Sequence, residues 1–443
     1  MERNFTYAGA LAALEAALTF GINPSLEPVT AMAEALGRPQ DTFASVQVTG
    51  TNGKSSTARM TAAILQAHGV RSGLYTSPEL HSYTERIEVD GDPVSEELFA
   101  AGVREALDAA VRAGVEPTEF EILTAAALWV FREREVDVAV LEVGMGGRWD
   151  ATSVVAPAVA VITGVGLDHM AHLGTTREAI AADKAHIIKP ASATVLGPGT
   201  ARVEATFLAR AEAVDTHARA VRPSGEPTPV AEDLTVRYRV LAHPSAPGGA
   251  ITLDVRGVHA EYAALAVHAP AYQAANVATA VAAAEAALGR ALEPARTREA
   301  LAATRFPGRF EVIAREPWLV VDGAHNPEAA AVLAEAVRDA WPDPASRPVV
   351  VLGVLADKDA EGIVAALAPV ARAFVCVTLD SPRALAAVEL AGVVERVTGN
   401  APAVAANVTE GIAAAFATGA TAVLVTGSIR TAAEGRRAGG GPS

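Results

Sequence analysis

Residues 45–56 read Ser45-Val46-Gln47-Val48-Thr49-Gly50-Thr51-Asn52-Gly53-Lys54-Ser55-Ser56. A short apolar run enters a turn rich in Gly, Thr and Asn. The turn then enters helical spacing over 57–68, which stops at Gly69, and a second apolar run follows at 72–75. Strand, glycine loop, helix and strand make the βαβ unit of a parallel sheet. Backbone N–H groups of such a loop converge at a helix N-terminus, where phosphate oxygens bind. Lys54 would neutralise β- and γ-phosphates, and the hydroxyl of Ser55 or Ser56 would serve a phosphate or Mg²⁺. The strict Walker spacing needs a glycine where Val48 stands, so this is a shorter variant. A glycine turn with a solvated lysine is the plain alternative. The strand before and the helix after favour a nucleotide.

The same texture recurs downstream. Residues 136–141 run into Gly144-Met145-Gly146-Gly147, and 159–163 run into 164–172. Apolar strands ending in glycine and polar residues suit ligand loops at the carboxyl edge of a sheet. Glu142 and His169 lie at or beyond two of these strand ends. With hydroxyls and phosphate oxygens they would make a Mg²⁺ site, against the alternative of a structural acid and histidine. Lys184 follows Asp183 on a helix, where a solvated face is the plain reading. Near 191 the texture changes. Residues 222–250 are rich in Pro, Gly and Ser and flank an alternating segment at 234–241, as in a hairpin-type excursion from the parallel core. An Ala-rich helix is expected over 274–288, then a linker at Arg305-Phe306-Pro307-Gly308-Arg309.

Beyond 310, apolar runs at 319–321, 349–353, 373–378 and 422–426 alternate with Ala-rich helices. Asp322-Gly323-Ala324-His325-Asn326-Pro327 ends the first of these strands. Its Asp and Asn can hold ribose or base edges, and His325 can donate or accept near neutral pH. An Asx-capped turn before a helix starting at Pro327 explains it equally well. The expected organisation is α/β throughout: residues 1–304 as a P-loop domain with a mostly parallel sheet, 305–309 as linker, 310–434 as a smaller Rossmann-like domain, and 435–443 as a disordered tail.

Composition limits the partners. The 443 residues carry 36 Lys+Arg against 51 Asp+Glu, a formal charge of −15. No cationic excess exists to neutralise a nucleic-acid backbone, whereas a small anion needs only a local pocket. A single Cys, Cys376, rules out an intramolecular disulfide and a Cys-rich zinc site, and its apolar strand makes it a buried hydrophobe. No signal peptide and no uninterrupted membrane-length stretch is read, so a cytoplasmic enzyme without a membrane partner is expected.

Thr49–Ser56 resembles the loop of the Mur ligase superfamily. Leu74-Tyr75-Thr76-Ser77-Pro78 and Tyr83-Thr84-Glu85-Arg86-Ile87 resemble the folylpolyglutamate synthase/dihydrofolate synthase family within it. Thr118-Glu119-Phe120-Glu121, the stretch Leu141-Glu142-Val143-Gly144-Met145-Gly146-Gly147-Arg148-Trp149-Asp150-Ala151-Thr152, Gly166-Leu167-Asp168-His169, Gln273 with Asn276, Pro307-Gly308-Arg309-Phe310-Glu311, Asp357-Lys358-Asp359 and Thr426-Gly427-Ser428 continue the match in order. The resemblance implies a P-loop ATPase domain, a smaller Rossmann-like domain and an active site in the cleft between them. The implied reaction phosphorylates a carboxylate of a pterin-containing substrate, and the amine of L-glutamate then displaces phosphate.

Residue by residue, the resemblance gives ATP to Thr51, Asn52, Gly53, Lys54, Ser55 and Ser56, with Asn276, Arg309 and Asp322, and His325 in support. It gives a pair of Mg²⁺ ions to Ser77, Glu142 and His169. Lys54, Lys184, His169 and His325 would be catalytic, and Lys184 matches a lysine that is carbamylated in relatives. The pterin side would use Asn23, Pro24, Ser25, Leu26, Thr118, Glu119, Phe120, Glu121, Trp149, Asp150 and Ala151. The family implies a monomer. Three positions depart from its pattern: Ser55 replaces a frequent Gly, Glu79 replaces the usual His and brings a negative charge near the metal site, and Ser25 and Pro28 replace a Gly and an Arg on the pterin side. A Mur-type ligase acting on a UDP-linked precursor is the nearest rival, but about forty residues before the loop leave little room for its usual N-terminal domain. A nucleotide-gated binding protein is the other rival, and it would not need Glu142, His169 and Lys184 together.

Overall fold

The computed structural model describes residues 5–18 and 24–440. Its chain divides into two compact units, Met1–Arg239 with Leu253–Leu265 and Ala274–Thr304, and Val240–Thr252 with Ala266–Gln273 and Arg305–Ser443. The first part of the chain runs through α1 (Tyr7–Ala17), α2 (Glu27–Ala35), β1 (Ala44–Thr49), α3 (Lys54–Ala67), β2 (Ser72–Tyr75), β3 (Ile87–Val89) and β4 (Asp92–Pro93). It continues with α4 (Glu96–Ala113), α5 (Glu119–Glu133), β5 (Val138–Glu142), β6 (Val159–Gly164), α6 (Met170–Leu173), α7 (Arg177–Lys184), β7 (Ala193–Gly199) and α8 (Glu204–Ala213). Then follow β8 (Ala218–Pro223), β9 (Thr235–Ala242), β10 (Ile251–Arg256), β11 (Glu261–Val267), α9 (Gln273–Leu288) and α10 (Pro294–Ala303).

Eleven strands form one sheet in the order β11-β10-β9-β8-β7-β6-β1-β5-β2-β3-β4. From β9 to β2 the pairings are parallel, and β3 closes that edge antiparallel to β2. Strands β5 and β6 are buried at every position, which is why they read as unbroken apolar runs and not as alternating ones. Helices α1, α2, α4 and α5 bury Leu14, Met32, Phe99 and Phe131 in one apolar cluster, while α7 and α8 bury Ile180 and Phe207 in another. Both clusters fix the central strands, and so fix where the loops leave them.

The second unit has its own six-stranded sheet. Its chain order is β12 (Glu311–Arg315), β13 (Trp318–Val321), α11 (Pro327–Ala340), β14 (Val349–Leu352), α12 (Ala360–Leu367), β15 (Ala373–Val377), α13 (Ala387–Thr398), β16 (Ala403–Ala405), α14 (Val408–Ala417), β17 (Ala422–Thr426) and α15 (Ile429–Ala438). The strand order is β12-β13-β17-β14-β15-β16, parallel except for β12. Cys376 is fully buried in β15, and burial pushes its thiol up to about 12.

Three expectations are corrected, and the linker gains detail. Strand β9 pairs parallel with β8, so the Pro- and Gly-rich excursion partly extends the main sheet. Residues 240–252 and 266–273 group with the second unit, because Gly248 lies against Val312 and Pro244, Ala269 and Phe310 line one small cavity. The linker is tied down: Gly308 N donates to Glu311 Oε2 at 2.8 Å, and Gly323 N donates to the Gly308 carbonyl at 2.8 Å. The tail is helical through Ala438, with Gly435 packed so closely on Val425 that a Cβ there would lie 2.8 Å from Val425 Cγ1. Among the described residues, no helix is long and apolar enough to cross a membrane.

Candidate active site

Strand β1 lies between β5 and β6, so the loops after all three strands leave the same sheet edge side by side. The loop after β1 needs its glycines. Gly50 has φ +155°, and a Cβ there would lie 1.9 Å from Thr163 Oγ1. Gly53 has φ +83°, and a Cβ there would lie 2.5 Å from Asn276 Oδ1. Thr51 N donates to the Gly164 carbonyl at 3.0 Å, and Gly166 N donates to Thr51 Oγ1 at 2.8 Å. The loop is therefore clamped to the end of β6 on one side and meets Asn276 of α9 on the other.

Two lysines converge on one carbonyl of this loop. Lys54 Nζ donates to the Gly50 carbonyl at 3.1 Å and to that of Thr51 at 3.3 Å. Lys184 Nζ, from the last turn of α7, donates to the same Gly50 carbonyl at 3.1 Å. Lys184 is only 3% exposed, so the solvated face expected for it is overturned. Burial, then the charge of Lys54, pushes its ammonium down to about 7, with Asp183, Asp150 and Asp168 opposing the shift. Asp183 also accepts from Gly147 N at 2.9 Å, which joins the Lys184 turn to the glycine loop after β5.

The end of β5 supplies the acid. Glu142 is 2% exposed. Its Oε1 accepts from Ser55 Oγ at 2.8 Å, and its Oε2 accepts from Ser77 N at 3.2 Å. Ser55, the departure from the usual glycine, thus links the phosphate loop to Glu142. Ser56 is buried one residue on. His169 opens α6 with φ +52° and sits 4.0 Å from Asp168 Oδ2 through Nε2. Among the described residues, no three His, Cys, Asp or Glu side chains gather as a ready metal cage. The donors beside the loop are a carboxylate and serine oxygens, a hard set that suits a cation also bound by phosphate and water.

The pterin-side residues divide. Asn23 lies outside the described residues. Ser25 Oγ accepts from Glu27 N at 3.0 Å, Leu26 precedes α2, and Pro24 is exposed beside them. Thr118 and Glu121 form the capping box of α5, with Glu121 Oε2 accepting from Thr118 N at 2.7 Å and Thr118 Oγ1 at 2.9 Å. Asp150 accepts from Met145 N at 3.0 Å and from Thr152 Oγ1 at 2.6 Å, and burial raises its carboxyl. Ala151 is buried. The structure therefore gives Thr118, Glu121 and Asp150 work inside the protein, holding α5 and the glycine loop. Phe120 touches Gly144, and Trp149 stays 44% exposed with the Arg148 guanidinium 4.7 Å over its ring. The charge of Glu79 does not stand alone: it pairs with buried Arg86, which also lies 3.7 Å from Glu119, and Tyr83 Oη donates to Glu119 at 2.8 Å. This network ties the Ser77–Glu79 turn to α5.

In the second unit, Asp322 follows β13 and is 4% exposed. Its oxygens accept from Phe310 N and Ala324 N, each at 2.8 Å. Burial raises its carboxyl, and the charge of Arg309 opposes that. Arg309 lies against Gly323, where a Cβ would meet its Nη1 at 2.5 Å. His325 Nδ1 sits 2.9 Å from the Gly323 carbonyl. Asn326 caps α11 by accepting from Ala329 N at 2.8 Å, so the Asx-capped turn before Pro327 is present. Sequence reasoning missed Thr163, Asp183 and the Arg86 network; the small-residue run after β6 and the Asp183-Lys184 pair were the available signals.

Residues 48–201 match the Mur ligase middle domain, and residues 308–429 match the Mur ligase, glutamate ligase domain. The dihydrofolate synthase/folylpolyglutamate synthase of Mycobacterium tuberculosis is 38% identical over 388 residues, covering 82% of this chain and 76% of the relative. The chain belongs to the dihydrofolate synthase/folylpolyglutamate synthase family of Mur ligases. Family members of known structure share the whole architecture. Mycobacterium tuberculosis folylpolyglutamate synthase, complexed with ADP and AMPPCP, superposes with a TM-score of 0.88 at 34% identity, over 98% of this chain and 99% of that one. A bifunctional folylpolyglutamate synthase/dihydrofolate synthase with Mn, AMPPNP and L-glutamate bound superposes at 0.83 with 29% identity, over 98% of each chain. Membership makes this chain an ATP-dependent, ADP-forming ligase.

Proposed function

We propose that this chain joins L-glutamate to dihydropteroate, to reduced folates, or to both, through an acyl phosphate. The observation that carries the reading is the convergence of Lys54 and buried Lys184 on the Gly50 carbonyl, beside the Ser55–Glu142 contact. A free carboxylate is a poor electrophile. Transfer of the γ-phosphoryl group to one of its oxygens releases ADP and turns that oxygen into part of a leaving group. The neutral amine of glutamate then attacks the acyl carbon, phosphate departs, and the amine loses its proton.

The loop amides and Lys54 would hold the β- and γ-phosphates where negative charge moves during transfer. Asn276, which meets Gly53, would extend the nucleotide set on the loop, and Arg309, Asp322 and His325 form a polar cluster of the second unit that suits ribose or base edges. Glu142, Ser77 and His169 would hold Mg²⁺, two ions in all, which would supply positive charge to offset that of the phosphates and the reacting carboxylate. A carbamate on Lys184 would turn a poorly solvated amine into an anion that orders water and phosphate at the loop. Phe120 and Trp149 offer apolar surface to a pterin ring. A cytoplasmic monomer without nucleic-acid or membrane partners completes the proposal, in keeping with the net charge of −15.

Coupled measurement of ADP release tests it. Release should require a pteroate-type substrate and glutamate together, and parallel runs with dihydropteroate and tetrahydrofolate assign the acceptor. Equal release with either substrate omitted, or release driven only by a UDP-peptide precursor, would refute the folate reading.

A further inference from the structure

The end of β6 touches the phosphate loop through one side chain that the reaction scheme does not use. Thr163 is 7% exposed. Its Oγ1 lies 2.6 Å from the Asn52 carbonyl and 3.4 Å from that of Thr49. A hydroxyl has one proton, and the short contact takes it. The space for this hydroxyl exists because Gly50 has no Cβ. Behind Thr163, β7 presses equally close: a Cβ on Gly197 would lie 2.6 Å from the Thr163 carbonyl. Thr163 is thus held from behind while it holds the loop in front.

The Asn52 carbonyl belongs to the same planar unit as the Gly53 N–H. That peptide is trans, so its C=O and N–H point in opposite directions. Fixing the carbonyl toward Thr163 fixes the N–H away from β6, at the N-terminus of α3, where Gly53 is the capping residue. Without the hydroxyl this peptide is easy to turn over, because Gly53 tolerates both signs of φ.

We propose that Thr163 is a positioning residue for nucleotide binding: its hydroxyl holds the Asn52 carbonyl and so orients the Gly53 N–H for the phosphate. This rests on the reading of residues 49–56 as the nucleotide loop. The interaction is made to bound nucleotide before and during transfer, so its loss removes uniform binding, raising KM for ATP while kcat changes little.

The test compares Thr163→Val and Thr163→Ala, which lose the hydroxyl with and without a methyl in its place, with Thr163→Ser, which keeps it. Thr163→Ala serves alone if the valine variant is not recovered folded. ADP affinity is read by calorimetry, with KM and kcat for ATP beside it and Lys54→Ala as reference. The expected result is roughly a tenfold weaker ADP affinity and a matching rise in KM for Thr163→Val, with Thr163→Ser within threefold of the parent. A Thr163→Val variant that binds ADP within twofold of the parent, or a serine variant as weak as the valine one, overturns the proposal. Unchanged ADP affinity in Lys54→Ala would instead refute the loop reading, and the proposal with it.

Discussion

Carbon dioxide reacts with a neutral amine and not with an ammonium ion, so the acidity of Lys184 sets how readily a carbamate forms there. An ordinary lysine titrating near 10.5 is neutral in roughly 3 of 10,000 molecules at pH 7. Lys184, pushed down to about 7 by burial and then by Lys54, is neutral in about half of them. The gain in reactive amine is on the order of 10³-fold. Below pH 7 the initial rate of labelling by ¹³CO₂, at fixed dissolved CO₂, should climb about tenfold per pH unit; above pH 7 it should level off. The assay counts the ¹³C carbamate signal against a Lys184→Met blank from pH 6 to 9. Lys54→Met removes a neighbouring positive charge, so it should move the break in the profile to higher pH. A rate still climbing tenfold per unit between pH 8 and 9 in the parent protein, or no signal beyond the blank, would refute the argument.

Three further outcomes are expected. Lys54→Ala should lose nearly all turnover with an unchanged circular dichroism spectrum; a near-normal kcat would remove Lys54 from phosphate binding. Lys184→Ala should be slow, with part of the rate restored by a short carboxylate in the buffer, and full activity would exclude a catalytic carbamate. Asp183→Asn removes a negative charge that holds the Lys184 ammonium up, so the break in the labelling profile should fall below that of the parent. The same variant weakens the acceptor for Gly147 N, so a rise in KM for the pterin substrate should accompany the shift.

The central βαβ unit was legible because its pattern is local. The run 45–48, the glycine turn and the helix after it lie within one stretch, and β5 and β6 announce themselves as strands buried on both faces. Lys184 was legible only through the family resemblance, and its burial was not. Its helix is eight residues long, it follows an aspartate, and the carbonyl it binds is 134 residues away. Thr163 was hidden for the same reason, since its partner Asn52 lies 111 residues earlier. Glu121 and Asp150 show the opposite limit. As acids in matching motifs they pointed to substrate, yet the backbone N–H groups of a helix start and of a glycine loop also need acceptors. Pro and Gly at 305–309 marked a linker, but its ties to Glu311 and Gly323 depend on the pairing of β12 with β13, which periodicity does not reveal.

The electrostatics also give a reason for an acidic protein to use metal on anionic substrates, as proposed. Gly50 presents its carbonyl to two lysines, but burial and mutual repulsion leave Lys184 about half charged at pH 7. The loop therefore offers Lys54 and only part of a second charge to a polyphosphate. Converting Lys184 to a carbamate would make the deficit larger, because it would replace that partial positive charge with a negative one at the Gly50 carbonyl. Such a site gains little from more fixed cations, since each added ammonium would depress its neighbours further, as Lys54 already does to Lys184. Divalent ions would avoid that limit: they would arrive with the nucleotide, carry two charges each, and be held by the proposed ligands Ser77, Glu142 and His169. On this reasoning the raised acidity of the Lys184 ammonium and the proposed use of metal have one origin, the burial of Lys184 against the loop.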